Sequence, residues 1–284
     1  MRASLQAEVA RAVGAGVTEA RRLGGGDIND AWALRLDNGR RVFVKSNEAA
    51  PPEMFEAEAH GLAWLGEADA LRVPQVLAVS ERFLALELIE SAPPVANYGE
   101  RLGHGLAALH RFGADRFGLD RDNFIGRLPQ ANDPCDDWAE FYRTRRLEPQ
   151  LCLAVEAGLA GSRMRRGFER LWAALPDLAG PPEPPARLHG DLWAGNKHVD
   201  ERGLPALIDP AAYAGHREVD LAMMQLFGGF GADVFDAYDE AYPLEGGWRE
   251  RVPLYQLYFL MVHVNLFGES YVGSAEAALA RLIG

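Results

Sequence analysis

The dipeptide Asn38-Gly39 most narrows the folds open to this chain, because it lies between two runs in which apolar and polar residues alternate. Alternation at period two marks a strand with one buried face. Asn-Gly between such runs is the strongest short hairpin signal, since both central residues of a type I′ turn need positive φ. Residues 31–36 and the run ending at Ser46 are therefore expected to pair antiparallel. The triplet Gly24-Gly25-Gly26 joins an earlier alternating run, starting at Val17, to this hairpin. Lys45 then falls on the third strand of a meander, sharing a face with Phe43 while Val42 and Val44 share the other.

After Pro51-Pro52, apolar residues at Phe55, Ala59, Leu62, Ala63 and Leu65 recur at the spacing of one helix face. This helix carries Glu56 and Glu58, and either could reach Lys45. Residues 72–90 read as two strands about a Ser80-Glu81 turn, the second apolar from Phe83 to Ile89 and so internal to the sheet. "SAPPVANYG" breaks the pattern. Beyond it, helical periodicity marks residues 98–111, 138–156 and 162–175, a Pro-rich loop spans 176–185, and 197–209 reads as a tight hairpin. Helices return from about residue 218. The expectation is an α+β fold with a small antiparallel lobe over 1–90, a larger helical lobe over 91–284, and a cleft between them.

Charge and cysteine usage narrow the function classes. The 284 residues include 41 acidic and 29 basic side chains, a net charge of −12 that repels a nucleic-acid backbone. Cys135 and Cys152 form no CxxC or zinc pattern, and two free thiols suit a reducing cytoplasm. Glu8 and Arg11 interrupt the amphipathic N-terminus before a signal-like apolar run can form. The most apolar stretch, 252–267, includes Pro253, Gln256, His263 and Asn265 and falls short of the ~18 apolar residues of a membrane span. A buried core helix and a cytoplasmic protein with no membrane or nucleic-acid partner are expected.

The chemistry concentrates in "LHGDLWAGN", residues 188–196, and "IDPA", residues 208–211. Handling a nucleoside triphosphate needs a phosphate cradle, a cation for the phosphates, metal ligands and a group that orients the attacking hydroxyl. The Gly triplet can bring backbone N–H groups close to phosphate. Lys45 can pair with a helix glutamate, as the third-strand lysine of protein kinases does. Asp191 and Asn196 keep the D-x-x-x-x-N spacing of a kinase catalytic loop, and Asp209 follows a hairpin where a metal-holding carboxylate is due. Two other readings stay open. His189, Asp191 and His198 could ligate a hydrolytic metal, or the chain could be a non-catalytic nucleotide-binding scaffold. Neither a Walker A motif nor a G-x-S-x-G elbow is present.

"HGDLWAGN", "IDPAAYAGHREVDLAMMQLFGGF" and "LYQLYFLMVHVNLFG" resemble the fructosamine kinase (ketosamine-3-kinase) family, a branch of the aminoglycoside phosphotransferase and protein-kinase-like fold. The resemblance extends through "LGGGDIND", "VFVK" and "FLALELIE". It implies ATP and Mg²⁺ as cofactors, Asp191 as catalytic base, Asn196 and Asp209 as metal ligands, and Lys45 on the phosphates, oriented by Glu58. It further implies Gly24, Gly25 and Gly26 over the nucleotide and an inter-lobe hinge over 86–89, so that Glu87, Leu88 and Ile89 offer backbone groups to adenine. The implied reaction phosphorylates a sugar hydroxyl of fructosamine or ribulosamine on glycated amines or protein lysines, as a deglycation repair. A choline- or aminoglycoside-type small-molecule kinase is the alternative. Trp193, Tyr213, His216 and the 227–230 turn are the candidates for the acceptor site, with His263 and Asn265 as more remote ones. Glu218 and Asp220 are expected to brace the catalytic loop. Some members of the family carry Cys after the Gly triplet; this chain has Asp27.

Overall fold

The computed structural model describes residues 1–24 and 29–284. Gly25, Gly26 and Asp27 therefore lie outside the described residues. Helix α1 (Ala3–Val13) places Leu5, Val9 and Val13 on one stripe. They pack on a five-stranded antiparallel sheet of order β1 (Val17–Leu23), β2 (Asp30–Leu36), β3 (Arg41–Ser46), β5 (Phe83–Glu87), β4 (Val76–Ser80). Val42 and Val44 of β3 face α1 with Leu34 and Leu36. The opposite face receives α2 (Met54–Gly66), whose Phe55 and Leu62 pack on Leu84, Leu86 and Phe43. Strict alternation thus delivers Lys45 to the α2 side. Strand β5 is interior, as its apolar run predicts. Ala63 is exposed, because the buried face of α2 runs through Met54, Phe55, Ala57, Gly61, Leu62 and Leu65.

The Asn38-Gly39 hairpin forms with a different turn from the one expected. Only Gly39 has positive φ (82°); Gly39 N–H donates to the Leu36 carbonyl and Leu36 N–H to the Arg40 carbonyl. This is the three-residue loop that ends in a left-handed glycine. The Asn38 side chain accepts from the Arg40 amide at 3.1 Å, which favours it over a two-residue turn.

The larger lobe begins with α3 (Tyr98–Phe112) and the short pair β6 (Asn123–Ile125) and β7 (Leu128–Gln130). The expected helix over 138–156 is split into α4 (Trp138–Phe141), a π-helical turn (Tyr142–Leu147) and α5 (Glu148–Glu156). Pro149, in the first turn of α5, has no N–H to continue a regular ladder. Then come α6 (Ser162–Leu178), β8 (Ala186–Leu188), the hairpin β9 (Lys197–Val199) and β10 (Pro205–Leu207), and β11 (Tyr213–Gly215), followed by α7 (Glu218–Leu226), α8 (Ala232–Ala241), α9 (Trp248–Phe267) and α10 (Val272–Ile283). Helix α9 is the centre of this lobe, with Leu254, Tyr255, Leu257, Tyr258 and Phe259 all buried. Each such side chain contributes about 1.5–3 kcal/mol by leaving water. Among the described residues no helix is long and apolar enough to cross a membrane.

Candidate active site

Strand β8 ends at Leu188 and pairs with β11 through Leu188 and Tyr213, so the loop 189–196 leaves the sheet at a fixed point. Gly190 turns the chain at φ 81°, and a Cβ there would collide with the Ala211 carbonyl. The turn is held from below by the buried Asp220, which accepts the His189 amide at 2.8 Å and the Gly190 amide at 2.9 Å. Asp220 thus braces the loop, as expected. Glu218 does not: its carboxylate pairs with Arg251 of α9 at 2.5 and 2.9 Å.

His189 is closed off. Its Nδ1 accepts the Asp191 amide at 3.2 Å, so Nε2 carries the proton donated to the Ile208 carbonyl at 2.8 Å. Burial holds the imidazole below its ordinary range and keeps it neutral. His198 points toward the inter-lobe segment, its Nε2 3.0 Å from the Ile89 carbonyl. Neither histidine can join Asp191 at a metal, and among the described residues no group of three or more His, Cys, Asp or Glu side chains could hold one. The hydrolytic metal reading fails on this geometry.

Asn196 gathers the two catalytic-loop and hairpin aspartates. Its Nδ2 donates to the Asp191 carbonyl at 2.8 Å, to Asp191 Oδ2 at 3.1 Å and to the Asp209 carbonyl at 3.3 Å. Asp209 sits at φ 56°, a conformation that costs a non-glycine residue roughly 1 kcal/mol or more and clusters at functional positions. Its Oδ1 lies 2.6 Å from Lys45 Nζ, and Lys45 Nζ lies 2.7 Å from Glu58 Oε1. Glu58 is therefore the helix partner of Lys45, while Glu56 is exposed. Burial alone would lower the Lys45 ammonium, but Asp209 and Glu58 reverse this and hold it above its ordinary value. Burial and then the charge of Asp209 push Asp191 well above the usual carboxylate range.

Asn196 Oδ1, Asp191 Oδ1 and Asp209 Oδ2 accept no hydrogen bond from any described residue. Unclaimed hard oxygens beside two mutually repelling carboxylates suit a divalent cation such as Mg²⁺. The donor set fits.

The remaining expected residues fall into two groups. Trp193 is 42% exposed and its ring lies over Gly195, where a Cβ would collide with it, so it is no core anchor. The 227–230 turn packs on the same loop: a Cβ at Gly229 would strike Ala194, and the Phe230 ring lies 4.7 Å from Lys197 Nζ. By contrast, Tyr213 and His216 are buried at 0% and 1% exposure, so the expectation that they frame an open acceptor pocket is corrected. Tyr213 stacks on Phe141 under the Arg146 guanidinium, and His216 stacks on Tyr255. Strands of three residues are too short for alternation to reveal this. Asn265 ties α9 to Gln150 of α5, and His263 bonds the Phe259 carbonyl of its own helix within a ring of Phe227, Phe267 and Tyr271.

In the inter-lobe segment the Glu87 amide donates to Gln75 and the Ile89 carbonyl is taken by His198. Backbone groups of Leu88 have no partner among the described residues. The Glu87 carboxylate meets Arg72 at 2.5 Å, and Arg72 also reaches Asp200 at 3.2 Å and Glu201 at 2.8 Å. This clamp between the lobes was not legible in the sequence, where Arg72 is one arginine among many. Gly24 is exposed, with open space where a Cβ would stand.

A five-stranded sheet over a helical lobe, with a lysine–glutamate pair facing a D-x-x-x-x-N loop and a left-handed aspartate, defines a phosphotransferase of the protein-kinase-like class that uses ATP. The sequence profile of fructosamine kinases matches residues 1–284, and the chain belongs to the fructosamine kinase family. It is 38% identical over 260 residues to a probable ketoamine kinase of Enterococcus faecium, covering 90% of this chain and 92% of that one. It is 37% identical over 270 residues to the chloroplastic protein-ribulosamine 3-kinase of Arabidopsis thaliana, covering 93% and 82%. A Thermobifida fusca structure assigned as a fructosamine-3-kinase superposes with a TM-score of 0.92 at 42% identity over 98% of both chains. An ADP-bound aminoglycoside phosphotransferase shares the fold alone, with a TM-score of 0.66 at 15% identity over the full length of both.

Proposed function

We propose that this enzyme transfers the γ-phosphoryl group of ATP to a sugar hydroxyl of a ketosamine, a fructosamine or ribulosamine carried on a small amine or a protein lysine. The observation that carries the reading is the single cluster in which Asn196 ties Asp191 to Asp209 while Lys45 bridges Asp209 and Glu58. Asp191 accepts the proton of the acceptor hydroxyl, which must come within about 2.6–3.2 Å of it. Asn196 and Asp209 hold Mg²⁺, which when bound neutralises charge on the transferring phosphoryl group. Lys45 contacts the ATP phosphates from the sheet side, with Glu58 keeping its ammonium in place. Leu88 offers its backbone groups to adenine, and Gly24 lies at the entry to the phosphate side. Trp193 presents an open aromatic face on which a sugar or a lysine arm stacks.

The test is ADP release on a panel of fructosamine, ribulosamine and an aminoglycoside, with Asp191→Ala alongside. Turnover on a ketosamine that disappears in the variant supports the reading. No turnover on either ketosamine, or turnover that survives in Asp191→Ala, contradicts it.

A further inference from the structure

A cavity of about 500 Å³ opens where the C-terminal ends of α2 and α3 meet β8. It is lined by Trp64, His110, Arg111, Phe112, Arg187 and Tyr242, and shares no lining residue with the Lys45–Asp191–Asn196–Asp209 cluster. Its volume is that of a small-molecule site, about 300–1,000 Å³.

Two guanidinium groups line it, Arg111 and Arg187. Arg187 is only 5% exposed, yet its guanidinium faces the cavity between the rings of Trp64, at 4.0 Å, and Phe112, at 4.5 Å. Its Nη1 bonds the Trp64 carbonyl and Glu67, Nε reaches the Gly113 carbonyl at 3.4 Å, and Nη2 has no acceptor among the described residues. Arg111 lies over Tyr242 at 4.6 Å, bonds the Ala241 carbonyl, and has no carboxylate partner among the described residues. Asp115 is the one carboxylate in the described lining, and Glu67 pairs with Arg187 from beside it at 3.0 Å, so Arg111 is the guanidinium without a carboxylate partner among the described residues. Two guanidinium forks in a concave wall are the arrangement that recognises oxyanions, phosphate above all. Aromatic rings with Pro184 and Pro185 beside them suit an organic carrier.

The cavity also adjoins the support of the 189–191 turn. The His110 imidazole is fully buried behind its wall, with Nδ1 on the Tyr238 hydroxyl at 2.8 Å and Nε2 3.2 Å from Asp220 Oδ2, and Asp220 holds the amides of His189 and Gly190, the two residues before Asp191. Arg187 belongs to β8, the strand that leads into the same loop.

We propose that this cavity is a second ligand site, taking the phosphate of a small organic phosphate monoester between Arg111 and Arg187, and that its occupancy tightens the 189–191 turn through β8 and the His110–Asp220 contact behind the wall. The inference goes beyond the phosphotransfer reading, and its test needs neither nucleotide nor turnover.

The test is calorimetric titration of the full chain with ribose 5-phosphate and, separately, inorganic phosphate, with amide hydrogen exchange followed across 188–196. Saturable binding of ribose 5-phosphate is expected, weaker binding of inorganic phosphate, and slower exchange at Gly190 on saturation. Arg111→Ala, at an exposed position, weakens binding by about tenfold or more, the loss of one charge-assisted contact, and Arg111→Lys recovers part of it. Lys45→Ala leaves this binding intact. Equal affinity for both ligands assigns the site to free phosphate and overturns the organic-monoester part. No saturable binding, or binding that Lys45→Ala abolishes and Arg111→Ala spares, overturns the site. Unchanged exchange at Gly190 on saturation overturns the coupling.

Discussion

Lys45 Nζ and Asp209 Oδ1 meet at 2.6 Å, one at the end of the third strand of the sheet and the other just after the hairpin of the helical lobe. Glu58 holds the same ammonium from α2 at 2.7 Å. On the proposed reading, a bound nucleotide and its metal would draw Lys45 and Asp209 apart, with Glu58 keeping the lysine aimed. Lys45→Met is expected to lower kcat/KM by about 10²-fold or more, the usual effect of deleting one preorganised donor. Glu58→Gln, which keeps a polar partner, loses less. Steady-state kinetics decide, and an unchanged kcat/KM in Lys45→Met would remove the lysine from the phosphate site.

Asp220→Asn tests the brace beneath the catalytic loop. The buried carboxylate accepts two loop amides and lies against His110, and an amide in its place turns a donor toward at least one of these groups. Each buried donor left without an acceptor costs about 1–3 kcal/mol. Urea unfolding should show a loss of that size, and kcat should fall more than the KM for ATP changes. A variant that loses stability but keeps full kcat would show that the loop does not need the brace.

His216 makes stability depend on pH. Burial, aided by Arg251 and Arg217 and opposed by Glu183, lowers its imidazole to about 4, whereas in the unfolded chain it titrates near 6.5. Between those values the unfolded state binds a proton that the folded state does not. The contribution is therefore fully present above about pH 6.5 and is lost as pH falls toward 4, by about 3 kcal/mol in all. Unfolding free energies measured from pH 7.5 to 4.5 should fall less steeply in His216→Gln than in the parent, and identical slopes would contradict this.

Gly195→Ala probes Trp193. The added methyl would displace the indole that lies over Gly195, without touching the core. With Trp193→Ala it is expected to raise the acceptor KM roughly two- to tenfold, the value of one aromatic contact, and to leave the KM for ATP unchanged. Equal effects on both KM values would mean that the indole shapes the whole cleft.

Much of this was legible in the sequence because chemistry or strand geometry constrains spacing. Alternation in 41–46 puts Lys45 on the face opposite Val42 and Val44, and the five-residue step from Asp191 to Asn196 survives as a side-chain contact. The choice between Glu56 and Glu58 needed the rotation of α2, which packing against Leu84 and Leu86 sets. Tyr213 and His216 misled because they follow the metal-type aspartate in sequence yet turn into the core with β11 and Trp138. His110 and Arg187 carried no signal, since His110 meets Asp220 only across 110 residues of chain. Long-range pairs of this kind arise from tertiary packing and leave no periodicity to read.

The most direct test of the central claim is mass spectrometry and ³¹P NMR of a ketosamine incubated with the enzyme and MgATP. The account predicts a ketosamine heavier by one phosphoryl group, with phosphorus on a sugar hydroxyl, formed by the parent and not by Asp191→Ala. An unmodified ketosamine alongside ATP hydrolysis, or the same phosphorylated product from Asp191→Ala, would contradict it.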